Sequence, residues 1–484
     1  MNKVEICSSG IRTAGPMSTF PGLRAVQSKN SFELALELPS TRSLYYRMDP
    51  SGLEWGESLA AFAGDAGIPA PETWDLLAVV HGIVPAPDDA LGVPGVQRLT
   101  VGSVVRVDAA GVRVGRQAPR LPDSGSLVDE VGAVLPDGEF GIAYSGGLSS
   151  TFLAVAAQRA GKRPVLVHAD LGAAFAPLPL PGIPGLELRR IPMDVSELLD
   201  HHPIATELPR PPTPEVEVRR RLIARMSGAV DLPLAAGTLL EDLVSIRLPE
   251  ADISDDKLLE CEPFHVAGAL PTLAEARRLL EEQTVHARMV AGDGPPGGRQ
   301  HDSQPDRPAE KYFVPGLTAA GQEEYDIARQ LRLPLWQEHT MSLPSALGRA
   351  DAALAERGEA GALLPALAPQ VLAAVVALSA GDIGRVERGM FRNNRPLWQA
   401  IDEHRVTGVR RAAPGYWLRL AAAEHLNAQR DKLAAGLAES PLAKAGVIDA
   451  TEVAAALHDP RRMMENALPL LRLIWTDHWM RRQS

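Results

Sequence analysis

Residues 140–157 read FGIAYSGGLSSTFLAVAA. The apolar run 140–144 predicts a strand, the small residues 145–150 predict a turn, and the alanine-rich stretch that follows predicts a helix. Backbone N–H groups at a helix N-terminus lie at the positive end of the helix dipole and can bind an anion. The segment therefore predicts a phosphate-binding loop. An ordinary strand-to-helix turn capped by Ser145 or Ser149 is the alternative.

Strands and helices alternate from about residue 127 onward, which is typical of a parallel α/β sheet. The predicted strands after the first are 164–168, 186–191 and 232–236, and the predicted helices are 150–160 and 214–226. Ligands of such sheets bind beyond the carboxyl ends of the strands. We therefore expect residues 145–150, 168–170 and 237–242 to face one cleft.

The first 118 residues differ in character and form a predicted β-rich module of their own. Strand-like stretches lie at 31–38, 43–47 and 102–114, where the last alternates around Gly111 as a hairpin does, and residues 57–66 look like a short helix. The proline-rich residues 116–126 mark the boundary to an α/β domain at 127–484. Within that domain, residues 290–311 are polar and rich in helix breakers, as in a mobile insertion, and residues from about 321 onward are predicted to be mostly helical.

The composition argues against several classes of protein. The chain has 484 residues and a net charge of −11, which argues against nucleic-acid binding. It contains no apolar run of about 18 residues, so no membrane span is expected, and its first residues lack the apolar core of a signal peptide. Cys7 and Cys261 are the two cysteines, too few for a disulfide framework or a thiolate zinc site. These features predict a cytoplasmic protein of unspecified oligomeric state.

Several segments carry a resemblance to a known family. The loop at 145–150 is similar to the pyrophosphate loop of ATP pyrophosphatases, SGGxDS, and residues 234–244, LAAGTLLEDLV, are similar to the SGxGxDELF segment of asparagine synthetases. Weaker matches lie at 44–46, 52–55 and 95–104 and in the final helix, 470–480. The chain thus resembles the asparagine synthetase-like family, which includes β-lactam synthetases and lasso-peptide cyclases, along nearly its whole length.

The resemblance implies an N-terminal glutaminase-like module followed by an ATP-pyrophosphatase-like synthetase domain. It implies an ATP- and Mg²⁺-dependent carbon–nitrogen ligase of specialised metabolism, which adenylates a carboxylate for attack by an amine. The substrate would be a small carboxylate with an amine, or a peptide. Glutaminase activity is not expected, because the family's terminal cysteine nucleophile is missing: Asn2 follows Met1, and Cys7 lies too far into the chain.

The resemblance also implies roles for individual residues. Nucleotide contacts fall on Ser145, Gly146, Gly147, Ser149, Ser150, His168 and Gly237. The predicted magnesium ligands are Glu241 and Asp242; the alternative is that they are solvent-exposed residues of a first helical turn, which the helix dipole favours. For His168 the favoured alternative is a structural role. The family uses a lysine to stabilise the charge that develops in the transition state. That lysine is missing from this region, and Arg395, Arg410 or Arg411 is predicted to take its place.

Further departures from the family pattern lie in the same two segments. Ser149 stands where the loop of the family has a metal-binding aspartate, and Leu239 stands where its second segment has a glycine. Thr238 matches a tyrosine that activates the amine in β-lactam synthetases. These changes support a second hypothesis, that the chain is a catalytically degraded member which binds a partner enzyme, a peptide or a metabolite.

Overall fold

A computed structural model of the chain describes residues 2–7, 10–14, 22–37, 44–49, 52–57, 60–63, 95–99, 102–116, 121–172, 175, 180–200, 214–245, 315–323, 362–387, 390–409 and 416–483. Within these residues the fold is mixed α/β, with two antiparallel sheets, one parallel sheet, a strand pair and helices. The predicted insertion at 290–311 lies outside the described residues, as do four residues of the predicted linker, 117–120.

Two antiparallel sheets build the N-terminal part of the chain. One has the strand order β2-β1-β6-β5-β7 and the other β3-β4-β8-β9. The strands are Asn2–Cys7 (β1), Gly10–Ala14 (β2), Leu23–Gln27 (β3), Ser31–Leu36 (β4), Leu44–Asp49 (β5), Gly52–Gly56 (β6), Val96–Leu99 (β7), Ser103–Asp108 (β8) and Gly111–Arg116 (β9), with a short helix at Ala60–Ala63 (α1). Strands β8 and β9 form the predicted hairpin, in which Val107 pairs with Val112.

The parallel sheet follows the predicted strand–helix alternation. Its strands lie in the order β12-β11-β10-β13, and each neighbouring pair is parallel. The elements are Leu127–Val134 (α2), Gly141–Ala143 (β10), Leu148–Arg159 (α3), Val165–Asp170 (β11), Leu188–Pro192 (β12), Val195–Leu199 (α4), Pro214–Val230 (α5), Leu234–Ala235 (β13) and Leu240–Leu243 (α6). The central strand β10 thus lies between the strands that lead into the second and third predicted site segments.

The remaining described elements are mostly helical, as the sequence predicts. They are a 3₁₀ turn at Pro365–Leu367, Pro369–Ala377 (α7), Ala380–Ile383 (α8), Arg385–Glu387 (β14), Met390–Arg392 (β15), Arg395–Glu403 (α9), Tyr416–Leu437 (α10), Pro441–Lys444 (α11), Ala450–His458 (α12), Pro460–Glu465 (α13) and Ala467–Gln483 (α14). The antiparallel pair of β14 and β15 is not in the prediction.

Two large apolar cores hold these elements. One is continuous from the N-terminal sheets through α2, α3 and the parallel sheet to α7 and α9. The other packs α4 and α5 against the C-terminal helices around Trp475 and Trp479, which are 0 % and 1 % exposed. Helix α3 is buried from Ser150 to Ala157, where small and apolar side chains fit between the sheet and the neighbouring helices. None of the helices among the described residues is both long and apolar enough to cross a bilayer.

Candidate functional site

The predicted phosphate-binding loop connects the central strand β10 to helix α3. Tyr144 continues the strand, because its N–H donates to the Val167 carbonyl oxygen at 2.7 Å. Gly146 then takes a φ of +73°, a conformation that costs glycine little and other residues more. Helix α3 begins at Leu148, with Gly147 as its N-cap and no side-chain cap bond from that residue. The loop therefore lies where the sequence places it, at the carboxyl end of the sheet.

Hydrogen bonds inside the loop fix its shape. The N–H of Ser145 donates to the Ser150 hydroxyl oxygen at 3.3 Å, and the N–H of Gly147 donates to the Ser145 hydroxyl oxygen at 3.2 Å. The Ser150 hydroxyl donates to the Gly147 carbonyl oxygen at 3.1 Å. Ser150 is buried while Ser145 is exposed. The two serines therefore brace the turn from within, and Ser145 also faces outward.

The second matched segment lies directly against the first turn of α3. A Cβ atom added at Gly237 would lie 2.7 Å from both the carbonyl carbon and the carbonyl oxygen of Ser149, which no side chain tolerates. The N–H of Ser149 donates to Glu241 Oε1 at 3.2 Å. A carboxylate at this place is favoured by the helix dipole as well as by the hydrogen bond. The structure thus brings Ser149, Gly237 and Glu241 together.

Leu239 has a left-handed backbone at the start of α6. Its φ is +76° and its ψ is −23°, whereas its side chain is only 2 % exposed. The matching family pattern has a glycine at this position, and a left-handed backbone is the physical reason for glycine there. Here a buried leucine has that conformation, at a cost of about 1–2 kcal/mol for the strained backbone.

His168 supports the loop from the neighbouring strand. It lies in β11, is 7 % exposed, and its Nδ1 is 2.8 Å from the Tyr144 carbonyl oxygen. Because a carbonyl oxygen can only accept a hydrogen bond, Nδ1 carries the proton in this contact. Tyr144 is held a second time, since its hydroxyl donates to the Pro181 carbonyl oxygen at 2.8 Å. This hydrogen bond is consistent with a structural role for His168, and a nucleotide contact of its ring stays a prediction.

Two asparagines that the sequence analysis did not select contact the second segment. The side-chain amide of Asn394 donates to the carbonyl oxygens of Glu241 at 3.1 Å and Val244 at 2.9 Å. The Asn393 amide donates to the Ser245 hydroxyl at 2.9 Å. The pattern NNRP does indicate a helix start, with asparagine as cap and proline in the first turn. Nothing in that pattern indicates which distant segment the amides meet.

The predicted cations are placed only in part. Arg395 Nη1 donates to the Gly381 carbonyl oxygen at 2.6 Å, so the side chain braces α8 against α9. The Ser379 hydroxyl and N–H hold the pKa of the Asp382 carboxyl below its usual range, and the charge of Arg395 adds to that effect. Arg410 and Arg411 lie outside the described residues, and so does the side chain of Asp242.

One carboxylate of the candidate site, that of Glu241, is a suitable ligand for magnesium. Mg²⁺ bound with a nucleotide usually takes one or two carboxylates together with phosphate oxygens, and the half-buried carboxylate of Glu241 fits that requirement. The hydroxyl of Ser149 is a neutral and weaker ligand. In the part of the chain that the structure describes, no three His, Cys, Asp or Glu side chains lie close enough together to hold a metal ion. The described residues thus fit a metal held mainly by Glu241 and by the ligand's own oxygens.

A surface depression of about 490 Å³ lies at the opposite end of the sheet. Its lining residues are Asp137, Gly138, Glu139, Ala160, Gly161, Lys162 and Arg163. Lys162 is engaged there, since its ammonium pairs with Asp137 at 3.1 Å and donates to the Leu135 carbonyl oxygen. Parallel sheets bind ligands at the carboxyl ends of their strands, so the loop is the stronger candidate site.

Comparison with known proteins adds no family. The chain matches no protein-family model, and no curated protein matches its sequence.

Proposed function

We propose that the chain is an ATP-dependent carbon–nitrogen ligase of the asparagine synthetase-like type, without glutaminase activity. The observation that carries the proposal is the contact between the two segments on which the resemblance depends. Gly237 packs on Ser149, and Glu241 accepts the Ser149 N–H. The two segments are 92 residues apart at this hydrogen bond, so their meeting at the carboxyl end of a parallel sheet is not a consequence of chain proximity.

The proposed reaction has two steps. A substrate carboxylate oxygen attacks the α-phosphorus of ATP and pyrophosphate leaves. An amine then attacks the acyl carbon, AMP leaves with the electrons of the broken acyl–oxygen bond, and the amine loses a proton. The loop 145–150 would hold the pyrophosphate through the Ser145 hydroxyl and the amides of Gly146, Leu148 and Ser150, since those of Ser145, Gly147 and Ser149 donate within the protein. Glu241 and Asp242 would hold Mg²⁺, which would neutralise phosphate charge. Arg395, Arg410 or Arg411 supplies the positive charge that stabilises the transition state.

The finer organisation belongs to the same proposal. Residues 1–118 are a glutaminase-like remnant and residues 127–484 a synthetase domain. The substrate is a small carboxylate with an amine, or a peptide, in specialised metabolism, and the protein works in the cytoplasm without nucleic acid or membrane. The five- and four-stranded antiparallel sheets support the first of these assignments, and the parallel sheet with α3 supports the second.

Pyrophosphate and AMP release from Mg·ATP, with amino acids and short peptides as acceptors, tests the activity. Ser145→Ala and Glu241→Gln should each lower kcat/KM by about 100-fold or more, as expected for contacts to transferred charge. Glu465→Gln is the matched control, because Glu465 lies in an exposed ion pair with Arg461. Wild-type rates in the Ser145 and Glu241 variants would contradict the proposed site.

One observation favours a second candidate, a degraded member that binds a partner enzyme, a peptide or a metabolite. The Ser149 position offers a hydroxyl instead of a carboxylate, and its N–H is already occupied by Glu241. Isothermal titration of Mg·ATP into the purified chain separates the two candidates. Saturable, magnesium-dependent binding supports the ligase, and the lack of any heat of binding supports the degraded member.

A further inference from the structure

Asn394 joins two helices that belong to different parts of the sequence. Its backbone carbonyl accepts the N–H groups of Leu397 at 3.0 Å and Trp398 at 3.2 Å, which begins α9. Its side-chain amide donates to the carbonyl oxygens of Glu241, in α6, and of Val244, the residue after it, where helix carbonyls need partners from outside the helix. One residue therefore caps the start of one helix and the end of another.

The local backbone suits asparagine for this position. Its φ is +54° and its ψ is +35°, the left-handed region that asparagine tolerates better than most residues. Both acceptors are carbonyl oxygens, so the NH₂ group must face them and an aspartate side chain would repel them. A glycine would keep the backbone conformation and lose both hydrogen bonds.

The contact of Asn394 leads to the candidate site through α6. Helix α6 has four residues, so fixing its last carbonyls also fixes Glu241 within the same turn. Glu241 in turn accepts the Ser149 N–H in the first turn of α3. Helix α9, which Asn394 begins, packs along α3 and joins its far end through Arg159 and Glu403 at 3.4 Å. The three helices form a closed set of contacts.

We propose that Asn394 is a positioning residue, which holds α6 so that the Glu241 carboxylate meets the loop. The inference rests on the proposed function for its catalytic meaning, since Glu241 is there the magnesium ligand. Its structural content is independent of that function: Asn394 sets how firmly the Ser149 N–H is bound to Glu241.

Hydrogen–deuterium exchange of the full chain, read on peptides that cover 145–153, tests this directly. Asn394→Gly should speed exchange at the Ser149 amide by about fivefold, the amount expected for one net hydrogen bond. In a Glu241→Ala background, which lacks the acceptor for the Ser149 N–H, the same change should add little, because coupled residues are not additive. Asp449→Ala is the matched control: it removes the cap of α12, which accepts N–H groups of Thr451 and Glu452, in another part of the fold.

Unchanged exchange at Ser149 in Asn394→Gly, or an equal effect of Asp449→Ala, overturns the inference. Titration with Mg·ATP separates this from the proposed function. Asn394→Gly should weaken Mg·ATP binding about tenfold and raise the magnesium concentration it needs, whereas Asp449→Ala should change neither. If the wild-type chain binds no Mg·ATP, the proposed function fails, and the exchange experiment still decides the role of Asn394.

Discussion

At the scale of single residues, Leu239 combines a strained backbone with a buried side chain. Its left-handed backbone is the conformation that explains a glycine in the resembling pattern. Its buried side chain compensates for the strain by removing apolar surface from water. The sequence alone indicates a bulky residue near a ligand at this point, whereas the structure places the leucine side chain in the core.

Leu239→Gly should therefore destabilise less than the same change at its neighbour. Losing the buried side chain costs about 3 kcal/mol, but relief of the left-handed strain returns about 1 kcal/mol, so we expect a net loss of about 2 kcal/mol. Leu240 is equally buried and lies in the helix, where glycine costs about 1 kcal/mol more. Leu240→Gly should thus lose about 4 kcal/mol in urea unfolding. Equal losses would show that Leu239 carries no strain.

Ser149→Asp should make stability depend on magnesium. The new carboxylate would lie beside Glu241, whose Oε1 is 3.2 Å from the Ser149 N–H, and two like charges at such a distance repel each other. Without divalent ions we expect the free energy of unfolding to fall by about 1 kcal/mol.

Millimolar Mg²⁺ should restore the loss in Ser149→Asp, because two neighbouring carboxylates suit this ion. Ser149→Asn, which adds the same bulk without charge, is the control and should show no magnesium effect. A magnesium-independent Ser149→Asp variant would place the side chain of residue 149 away from Glu241.

The sequence predicts the strand, turn and helix around residues 140–157, because an apolar run, small turn residues and an alanine-rich stretch follow one another. It does not predict that Ser149 donates to Glu241 or that Asn394 binds α6. Such contacts depend on the relative positions of distant segments, which local patterns do not contain. The hydrogen bond of Arg395 to Gly381 is a contact of the same kind, which the sequence does not predict.

At the scale of elements, the close packing of α3 against the segment after β13 depends on Gly237. Gly237→Ala would bring its Cβ to 2.7 Å from backbone atoms of Ser149, and backbone cannot rotate away as a side chain can. We expect a loss of about 2–3 kcal/mol in the free energy of unfolding.

Weakened Mg·ATP binding should accompany that loss of stability. The control is Gly228→Ala in α5, where an added Cβ meets nothing within 4 Å and should stabilise by about 0.5–1 kcal/mol. A neutral Gly237→Ala variant would mean that the two segments are not in contact.

Helix α5 is held to its neighbours by a charge cluster that predicts the response to acid. Burial raises the pKa of the Glu217 carboxyl, but hydrogen bonds and charges from Arg220 and Arg221 outweigh it, so the pKa lies below its ordinary 4.5. Arg221 also donates to the carbonyl oxygens of Leu198 and Asp200 and lies 5.3 Å from the Trp475 ring. The cluster therefore joins α4, α5 and α14.

Because the folded state binds the Glu217 proton less tightly than the unfolded state, the stabilisation is complete above pH 4.5 and is lost as the pH falls through the lower folded pKa. Glu217→Gln should cost about 2 kcal/mol at pH 7, between the values for exposed and buried pairs, and should flatten the acid side of the stability curve. Glu465→Gln, at an exposed ion pair, should leave both unchanged. If wild type and Glu217→Gln lose the same free energy of unfolding between pH 7 and acid pH, Glu217 does not contribute to the acid sensitivity.

At the scale of the whole molecule, elements with a strong pattern are predicted well. The alternation after residue 127 predicts each strand of the parallel sheet to within a few residues, and helix Tyr416–Leu437 lies in the region from about 321 onward that is predicted to be mostly helical. The pair of β14 and β15 was missed, because strands of three residues are too short to show alternation. The strand order of the sheets follows from long-range pairing, which composition and periodicity do not encode.

Helix α3 acts as a rod that is anchored at both ends. Its first turn is bound to Glu241, and its last turn, about 18 Å away for twelve residues, is bound through Arg159 to Asp129 and Glu403 at the surface. A rod in a dense core transmits displacement without bending. We therefore expect a displacement of the loop to reach the far end of α3, and a fluorophore beside Glu403 would test this without touching the site.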